Sequence, residues 1–446
     1  MNINCAFYCK FDSKLNFLRT SITFTIDNPS LYKQQLLQWS QQFDEITFLD
    51  GNDHTQHSSG WDCILAVDAF TSIKTDYYNA FEDLKIYQQT TRDWLFGYLS
   101  YELKNDTEAL QSANFDGLGF PDLYFFQPKK LFLIKGTTVE IHYLRMCDDE
   151  IEEDRREITT RQIEEVNTAE SGLDIRQRIS RPEYISKVST MLERIHRGDI
   201  YEANFCMEFY AEDSVIAPLD VFLKLNAISR PPFAAYFKNR QHFLLCASPE
   251  RYIKKTGSTI VSQPIKGTAK RFENALEDEA AKQQLAADPK ERSENIMIVD
   301  LVRNDMSKTA QKGSVQVTEL CQIYSFLQVH QMISTVTSEL DSAHSAVDVL
   351  KTTFPMGSMT GAPKISAMTI IEDLEETKRG IYSGAVGYFT PESDFDFNVV
   401  IRSILYNSLE NYVSFSVGSA ITSLSTPEKE YEECLLKAKA MFEVLR

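Results

Sequence analysis

The clearest periodic pattern in the chain follows Ser180-Arg181-Pro182-Glu183. Ile185, Val188, Leu192 and Ile195 recur there at helical spacing. Ser-x-x-Glu is a capping box, and Pro182 suits a first turn whose N–H groups have no intrahelical partner. Gly198 then closes the helix. Downstream, short apolar runs predict strands at residues 243–247, 260–265, 383–389, 399–406 and 413–417. Longer mixed segments predict helices at roughly 274–287, 292–304, 364–375 and 428–445. Short polar loops join the late strands, which makes them antiparallel neighbours. The class is α+β with sizeable antiparallel sheets.

Residues 1–150 mix strand-like runs (131–134, 139–143) with loops and carry few groups suited to catalysis. Phe96-Gly97-Tyr98-Leu99-Ser100-Tyr101 reads as a strand with a close approach at Gly97. A charged stretch beginning at Asp148 separates this region from the long helix. It predicts an N-terminal region (1–150), a solvated connector (151–180) and a catalytic part (181–446).

Composition narrows the picture. The chain has 446 residues, with 43% hydrophobic and 25% charged, which is globular. Its formal net charge of -18 disfavours nucleic acid and anionic membrane surfaces. Any anion site must therefore be locally positive. The eight cysteines (5, 9, 63, 147, 206, 246, 321 and 434) form no CxxC and no zinc spacing. They read as reduced thiols. The start of the chain lacks a signal-peptide pattern, and no apolar run is long enough to span a bilayer. The expected compartment is the cytoplasm, with no membrane and no nucleic-acid partner.

Several residues could carry chemistry, each with a plain alternative. Glu250 follows an apolar strand, where desolvation can keep a carboxyl protonated as a general acid; it could equally pair with Arg251. Lys266, in Pro264-Ile265-Lys266-Gly267-Thr268, has apolar neighbours that can lower a lysine pKa and yield a nucleophile; it could also be a turn lysine. Glu294 and Glu433 lie on different helices, and two such carboxylates suit Mg²⁺. Both could be surface groups. Arg402 ends the run 397–401, and an inward arginine there holds a carboxylate of the protein or of a ligand. Thr360-Gly361-Ala362-Pro363-Lys364 fails as a P-loop, because Ala362-Pro363 interrupts it. No Ser-His-Asp or Cys-His pattern stands out among seven histidines.

In order along the chain stand Gly198-Asp199-Ile200-Tyr201, Ser248-Pro249-Glu250-Arg251 and Pro264-Ile265-Lys266-Gly267-Thr268. Val299-Asp300-Leu301-Val302-Arg303-Asn304-Asp305, Thr360-Gly361-Ala362-Pro363-Lys364, Gly384-Ala385-Val386-Gly387-Tyr388 and Arg402 follow. This series resembles the chorismate-utilising enzymes, the family of anthranilate synthase component I and its relatives. The resemblance runs from about Arg181 to Arg446 and continues more loosely before it. It implies large antiparallel sheets facing each other with helices outside, and an N-terminal region intertwined with the catalytic part. It implies Mg²⁺ on Glu294 and Glu433. It also implies that Tyr382, Arg402, Lys437, Gly267, Thr268, Gly418 and Ser419 surround substrate carboxylates, with His330 and Ser358 near the ring.

Within that family, lysine at the position of Lys266 resembles the branch that aminates C4 of chorismate. Anthranilate-forming members typically carry alanine there. The resemblance implies that neutral Lys266 attacks C2 while Glu250 protonates the departing hydroxyl, and that ammonia then displaces Lys266 from C4. The product would be 4-amino-4-deoxychorismate, a precursor of 4-aminobenzoate and folate. Glu202 departs from the family: isochorismate-forming members have a lysine base there and amino-transferring members usually glutamine. No glutaminase signature accompanies these motifs, so a glutamine amidotransferase partner is expected to supply ammonia. The rival readings are anthranilate synthase component I and a non-catalytic ligand- or partner-binding relative.

Overall fold

The computed structural model describes residues 18–54, 60–163, 172–326 and 329–446; Cys5, Cys9 and the chain start lie outside them. The long helix forms as its sequence dictates, over Arg181–Arg197. Ser180 and Glu183 make the reciprocal capping box, and Gly198 takes the left-handed cap conformation. Its buried stripe is Tyr184, Val188, Met191 and Ile195, so two predicted contacts fall outside it: Leu192 sits at the rim of the core and Ile185 is only partly buried.

Among the described residues, eleven α-helices surround twenty strands linked into one antiparallel-paired network. Two hydrophobic cores flank it. One holds Tyr184, Phe205, Val417, Cys434 and Met441 beneath the Arg181–Arg197 and Pro427–Leu445 helices. The other holds Phe96, Tyr98, Phe125, Phe237, Val386 and Phe397. The first 150 residues contribute strands to the same network. Glu45–Asp50 pairs with Phe233–Asn239, and Leu95–Leu99 pairs with Ala385–Phe389. Gly97 faces Gly387 at that seam. A Cβ on Gly97 would fall 2.0 Å from the Tyr124 carbonyl, so the close approach has a steric cause.

Three sequence expectations change. The acidic stretch is not simply solvated: Ile151–Thr160 is a helix whose Ile151 and Ile158 enter the first core. Its Asp154 accepts from Lys130 Nζ (2.5 Å) and Tyr143 OH (2.8 Å). The run 260–265 splits at Gln263-Pro264 into Thr259–Ser262 and Ile265–Lys270, because proline cannot donate to a ladder. The run 399–406 begins as a strand only at Ser403, because Arg402 adopts a φ of 53° and turns the chain. The six described cysteines are free and buried. No described helix is long and apolar enough to cross a membrane.

One buried network locks the site's supporting turn. Arg379 grips Glu375 through Nε (2.9 Å) and Nη2 (2.7 Å) and donates to the carbonyls of Met359 and Asn204 at 2.6 Å. It thereby ties the Gly357–Met359 turn to the Glu202–Ala211 strand. Arg379→Met leaves Glu375 buried without its counter-charge. The expected loss is about 3–5 kcal/mol of unfolding free energy, measured by urea denaturation.

Candidate active site

The site forms where strand ends meet two helix faces. His242–Ser248 ends at Pro249-Glu250, and Arg251–Thr256 leaves from it. Ile265–Lys270 brings Lys266 alongside, and the Glu202–Ala211 strand supplies Glu202 beneath. The Pro289–Ser307 and Pro427–Leu445 helices add Glu291, Glu294, Glu430 and Glu433.

Glu250 is buried and does not pair with Arg251, which holds Asp396 instead (2.9 Å). Burial pushes the Glu250 carboxyl up to about 7, against opposing hydrogen bonds from Ser358 and the Ile265 backbone and the charges of Lys266 and Lys437. That is the range a general acid needs near neutrality. Ser358, in the Gly357–Met359 turn, thus meets the acid directly.

Lys266 corrects a sequence expectation. Its Nζ donates to Glu202 Oε1 at 2.9 Å, with the two side chains 11% and 1% exposed. Burial alone pushes the amine pKa down, as its apolar neighbours suggested. The carboxylates of Glu202, Glu294 and Glu250 together outweigh that, and the pKa stands well above the usual lysine value. The pairing with Glu202 thus favours the charged amine. Gly267, at φ 93°, admits the backbone beside Glu291: a Cβ there would lie 3.1 Å from the carboxylate.

Glu294 is buried, and its Oε1 has no hydrogen-bond partner. Burial raises its carboxyl to about 7, with Lys266 and Lys290 opposing. Lys290 Nζ stands 3.7 Å from Glu294 Oε1 and 3.3 Å from Glu430 Oε1. Glu433 is half-exposed and paired with Lys437 (2.7 Å), which more than offsets burial and lowers its pKa. Lys437 also donates to the Gly418 carbonyl (2.8 Å). Ser419 Oγ is engaged by Glu430.

The charges do not make the locally positive site that the net charge seemed to require. Glu202, Glu250, Glu291, Glu294, Glu430 and Glu433 face Lys266, Lys290, Arg402 and Lys437: six acids against four cations. The acids outnumber the cations by two, and by one with Glu250 protonated, an excess of carboxylate that a divalent cation offsets. The orphaned Glu294 oxygen, with Glu433 on the facing helix, fits Mg²⁺, which needs one or two carboxylates and takes its other ligands from water and substrate. No group of three or more His, Cys, Asp or Glu side chains forms a closed metal site among the described residues.

The Arg402 guanidinium has no carboxylate or other hydrogen-bond partner among the described residues, while its carbonyl accepts from the Ala247 N–H (3.2 Å). Burial lowers its pKa, while Tyr382 and Glu433 nearby oppose that. An unpaired, partly buried guanidinium is poised for a ligand carboxylate. Tyr382 is buried, its hydroxyl 3.9 Å from Cys206 Sγ. Thr268 pairs with Gln331 across the sheet. His330 differs from expectation in one respect. Its ring nitrogens are taken by Asp278 (3.1 Å) and Ser325 (2.8 Å), and it is 1% exposed, so neither nitrogen is open to a ligand. Lys364 is likewise internal, bonded to Asp305 and to the Thr353 carbonyl.

Sequence reasoning missed Glu291, Lys290 and Glu430. The signal was present. Glu291-x-x-Glu294 and Glu430-x-x-Glu433 each place two carboxylates on one helix face.

An acid on an inter-strand turn and a strand-borne lysine thus meet two acidic helices in an α+β protein, and comparison with known proteins makes the class specific. The model of the chorismate binding enzyme family matches residues 30–443, and the chain belongs to that family. It is 29% identical to aminodeoxychorismate synthase component 1 of Bacillus subtilis over 415 residues, 89% of this chain and 83% of that protein. It is 41% identical over 269 residues to a probable chloroplastic aminodeoxychorismate synthase of rice, covering 60% of this chain. The match spans only 30% of the rice protein's length. Anthranilate synthase component I of Streptococcus pneumoniae superposes with a TM-score of 0.74 at 25% identity, over 86% of this chain and 92% of that one.

Proposed function

We propose that the chain converts chorismate and ammonia to 4-amino-4-deoxychorismate. The observation that carries this reading is the placement of Lys266 within one buried cluster with Glu250, whose carboxyl holds its proton up to about pH 7. Lys266, once neutral, attacks C2 as Glu250 delivers its proton to the departing 4-hydroxyl. Ammonia then bonds to C4 and the C2–Nζ bond breaks. Arg402 and Lys437 orient substrate carboxylates, and the buried walls exclude competing water. Held by Glu294 and Glu433, Mg²⁺ would neutralise the ring carboxylate.

The relatives named as aminodeoxychorismate synthases support this choice of product. The name "component 1" of two of them fits a partner that releases ammonia from glutamine. The product would feed 4-aminobenzoate and folate synthesis, and the expected compartment is the cytoplasm. The test is incubation of purified protein with chorismate, Mg²⁺ and ammonium, with products separated and weighed by mass spectrometry. Aminodeoxychorismate is the expected product. Fluorescent anthranilate as the main product would assign the chain to the anthranilate-forming branch. No turnover across pH would make it a binding protein.

A further inference from the structure

A lysine amine is ordinarily protonated near neutral pH and an ammonium cannot attack carbon, so Lys266, hydrogen-bonded to Glu202, must lose a proton before it can act as proposed. The group that receives it must lie within hydrogen-bond reach of Nζ. Charged groups face Nζ from every element packed there. Glu202 comes from its strand, Glu250 from the turn after Ser248, Glu291 and Glu294 from the Pro289–Ser307 helix, and Glu433 from the last helix. Only Glu202 is hydrogen-bonded to Nζ among the described residues. The others have separate duties: Glu250 must arrive protonated, Glu294 and Glu433 suit the cation, and Glu291 packs against Gly267.

Glu202 is also fixed. Its backbone lies in register with Ala362 on one side and Thr422 on the other, so it cannot swing to solvent. Its side chain is 1% exposed. Oε1 accepts from Lys266, while Oε2 is buried with no hydrogen-bond partner. A carboxylate with one oxygen engaged and one vacant can accept a proton and still receive a hydrogen bond.

We propose that Glu202 acts through Lys266, holding Nζ in line for C2 and taking its proton as the amine attacks. This rests on the amination reading above. In the first step an Nζ–H bond breaks and an O–H bond forms on Glu202. The Nζ–C2 bond forms, the C4–O bond breaks, and water leaves with the proton from Glu250. In the second step ammonia bonds to C4 and C2–Nζ breaks. Lys266 then regains its proton from Glu202, and the new ammonium returns one to Glu250. The sum is chorismate and ammonia giving aminodeoxychorismate and water. Proton transfer inside the pair replaces two buried charges by two neutral groups, which a low-dielectric site tolerates better than it tolerates either charge alone. Glutamine at this position could hold Nζ but could not take its proton.

The experiment compares the wild-type chain with Glu202→Gln and Glu202→Asp, with ammonium as amine donor and rates expressed per free ammonia. Folding of each is checked by circular dichroism. In Glu202→Gln, kcat near pH 7 is expected to fall about 100-fold, with the chorismate KM changed by less than about 3-fold. The deficit should shrink as pH rises, because solvent can then deprotonate Lys266. Glu202→Asp, which keeps the carboxylate, should retain the wild-type pH dependence at reduced rate. Undiminished Glu202→Gln activity, or a loss equal at every pH, overturns the proposal while leaving the amination reading intact. An aspartate variant with the glutamine variant's pH dependence also overturns it, and serves if Glu202→Gln does not fold. Absence of aminodeoxychorismate from the wild-type reaction overturns both.

Discussion

Lys266→Ala is expected to lower aminodeoxychorismate formation by about 1000-fold or more, equivalent to at least ~4 kcal/mol of barrier. Among the described residues, neither of the other lysines at the site can replace it. Lys290 faces Glu294 and Glu430, and Lys437 is bound to Glu433 and the Gly418 carbonyl. The alanine variant also opens space beside Glu202, on the C2 side of the proposed substrate position. Ammonia adding there would lead toward anthranilate, so a low yield of that fluorescent product is expected. The variant leaves Glu202 buried without its counter-charge, and a stability loss of about 3–5 kcal/mol should accompany it. Activity is therefore measured on protein shown to be folded, with both products followed by mass spectrometry. Retention of the wild-type rate would remove Lys266 from the mechanism. A covalent adduct trapped on Lys266 in the wild-type chain would support it directly.

Much of this site was legible as positions but not as states. The capping box at Ser180, the close approach at Gly97 and the long acidic helices follow from local rules, and the structure bears them out. The protonation state of Lys266 does not follow from local rules. Its apolar sequence neighbours argue for a lowered pKa, but its dominant partner, Glu202, is 64 positions away and arrives through strand pairing. The same holds for Glu250: next to Arg251 in sequence, it is separated from it in space because Asp396 on the neighbouring strand takes the arginine. The positive field expected from a net charge of -18 also failed as a local inference. The acids of two helices converge on the lysines and outnumber them. Helical spacing shows which carboxylates share a face, but not that two such faces meet.

Glu250→Gln is expected to cost about 10²–10⁴-fold in kcat, the usual contribution of a positioned general acid. Glutamine keeps the shape and the capacity to accept from Ser358 and from the Ile265 backbone, so chorismate KM should change little. The pH dependence separates loss of an acid from loss of a contact. Burial raises the Glu250 pKa to about 7, so the carboxyl carries its proton below that pH and loses it above. For the wild-type chain, the rate per free ammonia should hold at lower pH and fall about tenfold per pH unit above roughly pH 7. The fall follows from the direction of the shift: an unperturbed glutamate would already be ionised, and no acid would remain at neutrality. In Glu250→Gln this alkaline limb should vanish, leaving a low rate set by the unassisted departure of hydroxide. Persistence of the limb in the glutamine variant would assign it to another group and take from Glu250 the role of acid. The limb lies on the opposite side from the deficit expected in Glu202→Gln, which shrinks as pH rises. The two variants therefore report on separate protons: one delivered to the leaving oxygen by Glu250, the other withdrawn from Lys266 by Glu202.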